Sequence, residues 1–154
     1  MKRQGVVPVL VIATLLLTSS TSGAISVKTA AKQYQEDVAS ANAALKTFDS
    51  EIDAWTNATP DAEGERQAAS VLTLLETLRK SLQSQSWPKF VKGDIRFICA
   101  EDISSLQEDL HEIDSNSSLG NGAFQWTFRA DTWVTNLDAS NIRRDLGLPR
   151  SWAL

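Results

Sequence analysis

The residues best placed to do chemistry are Glu108 and His111. In helical conformation they share a face, and Glu-x-x-His is one quarter of a di-iron carboxylate site held between four helices. Such a site needs a second Glu-x-x-His and two further inward glutamates. His111 is the only histidine in the chain, so the second half cannot be built. With Glu112 the pair could hold at most a single ion weakly. Leu106, Leu110 and Ile113 define the inner face of this segment and leave Glu108 and His111 off it. The expectation is a solvated helix face, with no metal and no cofactor.

The other singletons narrow the chemistry further. Cys99 is the only cysteine, which removes an intramolecular disulfide, a CxxC redox pair and covalent haem attachment. Its neighbours Ile98 and Ala100 favour burial as a small hydrophobe. Met1 is the only methionine, so none is left as a haem ligand. A Cys99–His111 dyad would span twelve residues of helix, roughly 18 Å. No G-x-S-x-G elbow or phosphate-cradling glycine loop occurs. The chain is therefore read as non-catalytic, with a metal-dependent enzyme the last-ranked alternative. Six acids without a base lie between Glu101 and Asp114: Glu101, Asp102, Glu108, Asp109, Glu112 and Asp114. They are read as a solvated face.

The elements that would carry these residues are helices. In the first, about Val27 to Asn57, Tyr34, Val38, Ala41, Leu45, Phe48, Ile52 and Trp55 alternate at spacings of four and three. That is a seam along which another helix packs. Thr59 and Pro60 form a helix start as N-cap and first position. The second helix runs to about Gln85 on Ala68, Val71, Leu75, Leu78 and Leu82, widened by Leu72 and Leu74. Trp87-Pro88 breaks the chain. A third helix from Pro88 to about Asp114 uses Val91, Ile95, Ile98, Cys99, Ile103, Leu106, Leu110 and Ile113. Gly93 within it is read as a point of close helix approach. Ser115 to Gly122 is a polar loop. A fourth helix, Ala123 to Leu146, places Trp126, Ala130, Trp133 and Leu137 on one stripe, with Phe124 and Phe128 beside it. Ile142 and Leu146 close it. Arg143 and Arg144 complement the carboxyl end of the helix dipole, and Gly147 and Pro149 stop the helix. The fold class predicted is all-α, an antiparallel up-down-up-down four-helix bundle.

The bundle occupies residues 25–149, preceded by residues 1–24 and followed by a loose tail, 150–154. Lys2 and Arg3, the apolar run Val6–Leu17, and Ser22-Gly23-Ala24 have the layout of a signal peptide cleaved after Ala24. The alternative is an uncleaved amino-terminal anchor. The apolar run is short for a bilayer span of roughly 20 residues. The expected location is secreted or extracytoplasmic. Of the chain's 15 basic residues only Lys2 and Arg3 precede Ile25, leaving 13 basic and 19 acidic residues, net −6. Nucleic acid is a poor partner for such a chain.

Three stretches carry a resemblance: Val38-Ala-Ser-Ala-Asn-Ala-Ala-Leu-Lys-Thr-Phe48; Trp87-Pro88 with Asp94-Ile-Arg96; and Arg144-Asp-Leu-Gly-Leu-Pro149. Together the chain resembles small exported helical proteins and predicted lipoproteins of actinobacteria. The resemblance implies an envelope or extracellular location and a helical fold, and no particular activity. Lipoprotein members have a cysteine at the cleavage site. Gly23-Ala24-Ile25 stands here instead, so no lipid anchor is expected at that point.

What remains distinctive is aromatic. Eleven aromatic residues follow Ala24, and Phe124, Trp126, Phe128 and Trp133 are four of them. Trp126 and Phe128 lie about 200° apart on a helix and cannot both point inward. The four are either a wide core stripe or a patch for a ligand or partner. Two functional expectations follow. The first is non-catalytic binding of an envelope or extracellular partner, as monomer or dimer. The second is carriage of a small molecule or lipid in an aromatic pocket beside the fourth helix. Asn42, between the apolar stripe and the polar face, is a candidate for a hydrogen bond across helices.

Overall fold

A computed structural model describes residues 25–55, 61–115, 123–150 and 154. Residues 1–24, where a signal peptide is expected, the expected Thr59-Pro60 helix start and most of the Ser115–Gly122 loop lie outside the described residues. Within them every element is helical and no strand occurs. No helix among them is long and apolar enough to cross a membrane.

Helix α1 spans Val27–Asp53. It starts at Ser26, whose hydroxyl accepts the Thr29 N–H at 3.1 Å and satisfies one orphan donor of the first turn. The expected seam is the buried one, from Ala30 and Tyr34 to Phe48 and Ile52. The helix ends at Ala54, earlier than the apolar pattern implies, and Trp55 folds back into the core beyond it. Its indole N–H donates to Gln67 Oε1 at 3.0 Å on the next helix.

Helix α2 is Asp61–Ser84, with Ala68, Val71, Leu75, Leu78 and Leu82 buried. Trp87 closes its carboxyl end by donating to the Leu82 carbonyl at 2.7 Å, and its ring meets Tyr34 edge-on. The third segment is one continuous helical rod in three parts. Helix α3 is Lys92–Phe97, a π-helical turn covers Ile98–Asp102, and helix α4 is Ile103–Ser115. The Ile103 N–H reaches back five residues to the Ile98 carbonyl. Through this turn Ile98, Cys99, Asp102 and Ile103 are all buried. Gly93 is not a close-approach point, as a Cβ added there meets nothing within 4 Å.

Helix α5 is Ala123–Asp145. Gly147, at φ 71°, sits in the left-handed region. Leu148 N–H bonds the Arg143 carbonyl and Gly147 N–H the Arg144 carbonyl, the paired bonds of a Schellman stop. α1 packs along α2, α2 along α4 and α4 along α5, while α1 and α5 meet along a looser seam.

The tail is not loose at its last residue. Leu154 is buried, and its backbone is gripped from α1 and α5. Asn42 Oδ1 accepts its N–H at 2.7 Å and Asn42 Nδ2 donates to its main-chain oxygen at 3.2 Å. Arg143, buried at the end of α5, donates to the same oxygen and to the Pro149 carbonyl. Arg143 stands in the last turn of α5, as expected, and from there it also clamps the end of the chain.

Candidate functional site

The sequence candidates separate into two groups once α5 is in place. The core face of α5 is Phe128, Thr135, Ala139 and Ile142, continued by Leu146. The stripe of Trp126, Trp133 and Leu137 faces the solvent. Trp126 is 76% exposed, Trp133 57% and Leu137 48%, with Val134 beside them. Residues 126 and 128 point to opposite sides of a helix, and tertiary packing selected 128. Phe128 meets Phe48 edge-on at 5.1 Å and stacks on Phe124, which stacks on Trp55. That aromatic cluster joins α1 to the start of α5. Phe124, Trp126, Phe128 and Trp133 are therefore not one patch: two belong to the core cluster and two to the surface.

Beside α5 there is a cavity, though not an aromatic one. It lies in the loose α1–α5 seam, has a volume of about 190 Å³, and is lined by Asn42, Leu45, Lys46, Leu106, Thr135 and Leu154, among others. Lys46 carries the one charged side chain among the described lining residues. Thr132 bonds the Phe128 carbonyl at 2.7 Å, as a helical threonine commonly does. Thr135 does not: it is buried and its hydroxyl has no partner among the described residues. Just along the seam, Arg129 is held by Asp49 and Asp53 of α1, with its Nε 2.8 Å from Asp49 Oδ1.

The α4–α5 seam holds a feature that the reading of a solvated acidic face missed. Asp102 and Asp109 are each only 6% exposed. Each keeps one buried carboxylate oxygen without a hydrogen-bond partner among the described residues. Burial pushes the Asp109 carboxyl up to about 7, aided by Asp131 opposite and by Glu112 and Glu108 on its own helix. Burial likewise raises Asp102 to about 6, with Asp138, Glu101 and Asp131 adding to the effect. A signal was present in the spacing: Asp102, Leu106, Asp109 and Ile113 step by four, three and four along one helix face.

Glu108, His111 and Glu112 sit on the solvent side of α4. Glu108 and His111 flank a shallow groove against Glu76 and Arg79 of α2. Among the described residues no group of three or more His, Cys, Asp or Glu is placed to hold a metal ion. Cys99 is buried, and burial raises its thiol to about 11, far from the thiolate a nucleophile requires. Asn42 does bridge elements, to the Leu154 backbone rather than to another helix.

Comparison with known proteins finds no matching family model, no matching characterised protein and no matching solved structure.

Proposed function

We propose that this chain is an exported, non-catalytic protein whose helices form an antiparallel up-down-up-down bundle, and that it binds an envelope protein through the outer face of α5. The observation that carries this reading is the exposure of Trp126 and Trp133 on one stripe with Leu137. Apolar stripes of this breadth on a soluble surface mark contact sites. The partner element is an apolar helix. Residues 126, 130, 133 and 137 step by four, three and four, the seam into which a second helix inserts its side chains. Arg129, beside the stripe, is already engaged by Asp49 and Asp53 of α1.

The bundle arrangement is supported by contacts at opposite ends of neighbouring helices. Asp37, early in α1, accepts from Ser81 and Gln85 late in α2 and beyond, while Trp55 after α1 reaches Gln67 early in α2. Export is supported by the basic–apolar–small layout that ends at Ala24 and by the resemblance to exported actinobacterial proteins.

The test is a photo-crosslinker at position 137 in producing cells, with native Trp126 and Trp133 or with both changed to serine. The expected result is a crosslink to a helix of an envelope protein that the double variant loses. An equal crosslink in both, or self-association of the purified domain through this face, overturns the reading. A second reading, carriage of a small molecule, is favoured by the cavity in the α1–α5 seam.

A further inference from the structure

We infer that the α1–α5 cavity is a binding site for a small monocarboxylate with a short apolar tail. This assignment rests on the carrier reading and is independent of the outer face of α5. At about 190 Å³ the space exceeds the roughly 150 Å³ cavity that accepts a benzene ring and falls below the roughly 300 Å³ of drug-sized pockets. It suits a ring or a short alkyl chain and excludes a long lipid tail. Its walls are apolar where a tail would lie, on Leu45, Leu106 and Leu154. The Asn42 amide does not spoil this wall, because both its polar atoms are occupied by the Leu154 backbone.

The charge at the site sets the class of head group. Lys46 is exposed at the cavity and takes part in no ion pair among the described residues. Its acidic neighbour one turn on, Asp49, is drawn away by Arg129. Among the described lining side chains Lys46 carries the one charge, and the Leu154 main-chain oxygen at the wall is already answered by Arg143. A monoanion satisfies the Lys46 charge, a dianion leaves charge over, and an amine is repelled. Thr135 adds a second polar anchor, a hydroxyl in a 2% exposed residue with no partner of its own among the described residues. A buried hydroxyl left unpaired is costly, and a ligand oxygen would relieve it.

The experiment is titration of the purified domain with hexanoate, 1-hexanol and hexylamine, followed by amide chemical shifts. Hexanoate is expected to give saturable shifts at Leu45, Leu106 and Thr135. Lys46→Gln should weaken it about fivefold, the effect of losing one partly exposed ion pair. Hexanol should bind the wild type as weakly as hexanoate binds Lys46→Gln, and hexylamine should not bind. Hexanol binding as tightly as hexanoate, with Lys46→Gln unaffected, overturns the carboxylate assignment and leaves the carrier reading standing. No saturable shift with any of the three overturns both.

Discussion

Asp109 of α4 is buried opposite Asp131 of α5, and burial together with this like-charged neighbour favours the protonated form of the Asp109 carboxyl. Asp102 is raised likewise by burial, with Asp138 and Asp131 of α5 among its acidic neighbours.

The pH dependence of folding follows with a definite sign. Both buried carboxyls ionise less readily folded than unfolded, where 3.8 is usual. Their stabilising effect is complete below about pH 4 and is lost as pH rises through about 6 for Asp102 and about 7 for Asp109. Thermal melts followed by circular dichroism should fall in midpoint between pH 5 and 8. Asp109→Asn, which removes the buried charge, should raise the midpoint at pH 8 by about 4 °C, roughly 1 kcal/mol for a domain of this size. Parallel curves for the two proteins would refute the shift.

Gly93 and Gly147 should respond to alanine in opposite directions. Gly93 lies in a helix with open space around it, so Gly93→Ala should stabilise by about 0.5–1 kcal/mol. Gly147 holds φ at 71°, where a Cβ is strained, so Gly147→Ala should destabilise by about 1–2 kcal/mol. Urea unfolding midpoints measure both. A loss of stability at Gly93 would mean that the open space is filled.

The two aromatic groups of α5 should separate in the same assay. Phe128→Ala empties the centre of the aromatic cluster and should cost about 3–5 kcal/mol. Trp126→Ser with Trp133→Ser should stay within about 0.5 kcal/mol of wild type, as surface changes do. Acrylamide should quench the fluorescence of these two tryptophans more readily than that of Trp55 and Trp87, which are buried.

Charge on the buried seams should not be tolerated. Leu45 of α1 and Leu78 of α2 are both buried, and aspartate at either would be an unpaired charge in an apolar contact. Leu45→Asp and Leu78→Asp should each lose the helical circular dichroism signal and the cooperative melt. Retention of both in either variant would contradict the packing.

The amino-acid sequence by itself determined the helices, the inward seams of the first three helical segments, and the stop at Gly147. Those are local properties. A period near 3.6 residues, a proline break or a left-handed glycine is written within a few neighbouring residues. The tertiary structure decided which of two competing stripes on α5 turned inward. Trp126 and Phe128 could not both point inward, and Phe128 with the polar Thr135 faces the core, because Phe48 and Phe124 offer an aromatic nest there. It also decided that Asp102 and Asp109 are buried against other acids and that Leu154 is clamped by Asn42. Each depends on a partner many residues away, and a helix's own periodicity carries no record of what lies across the seam.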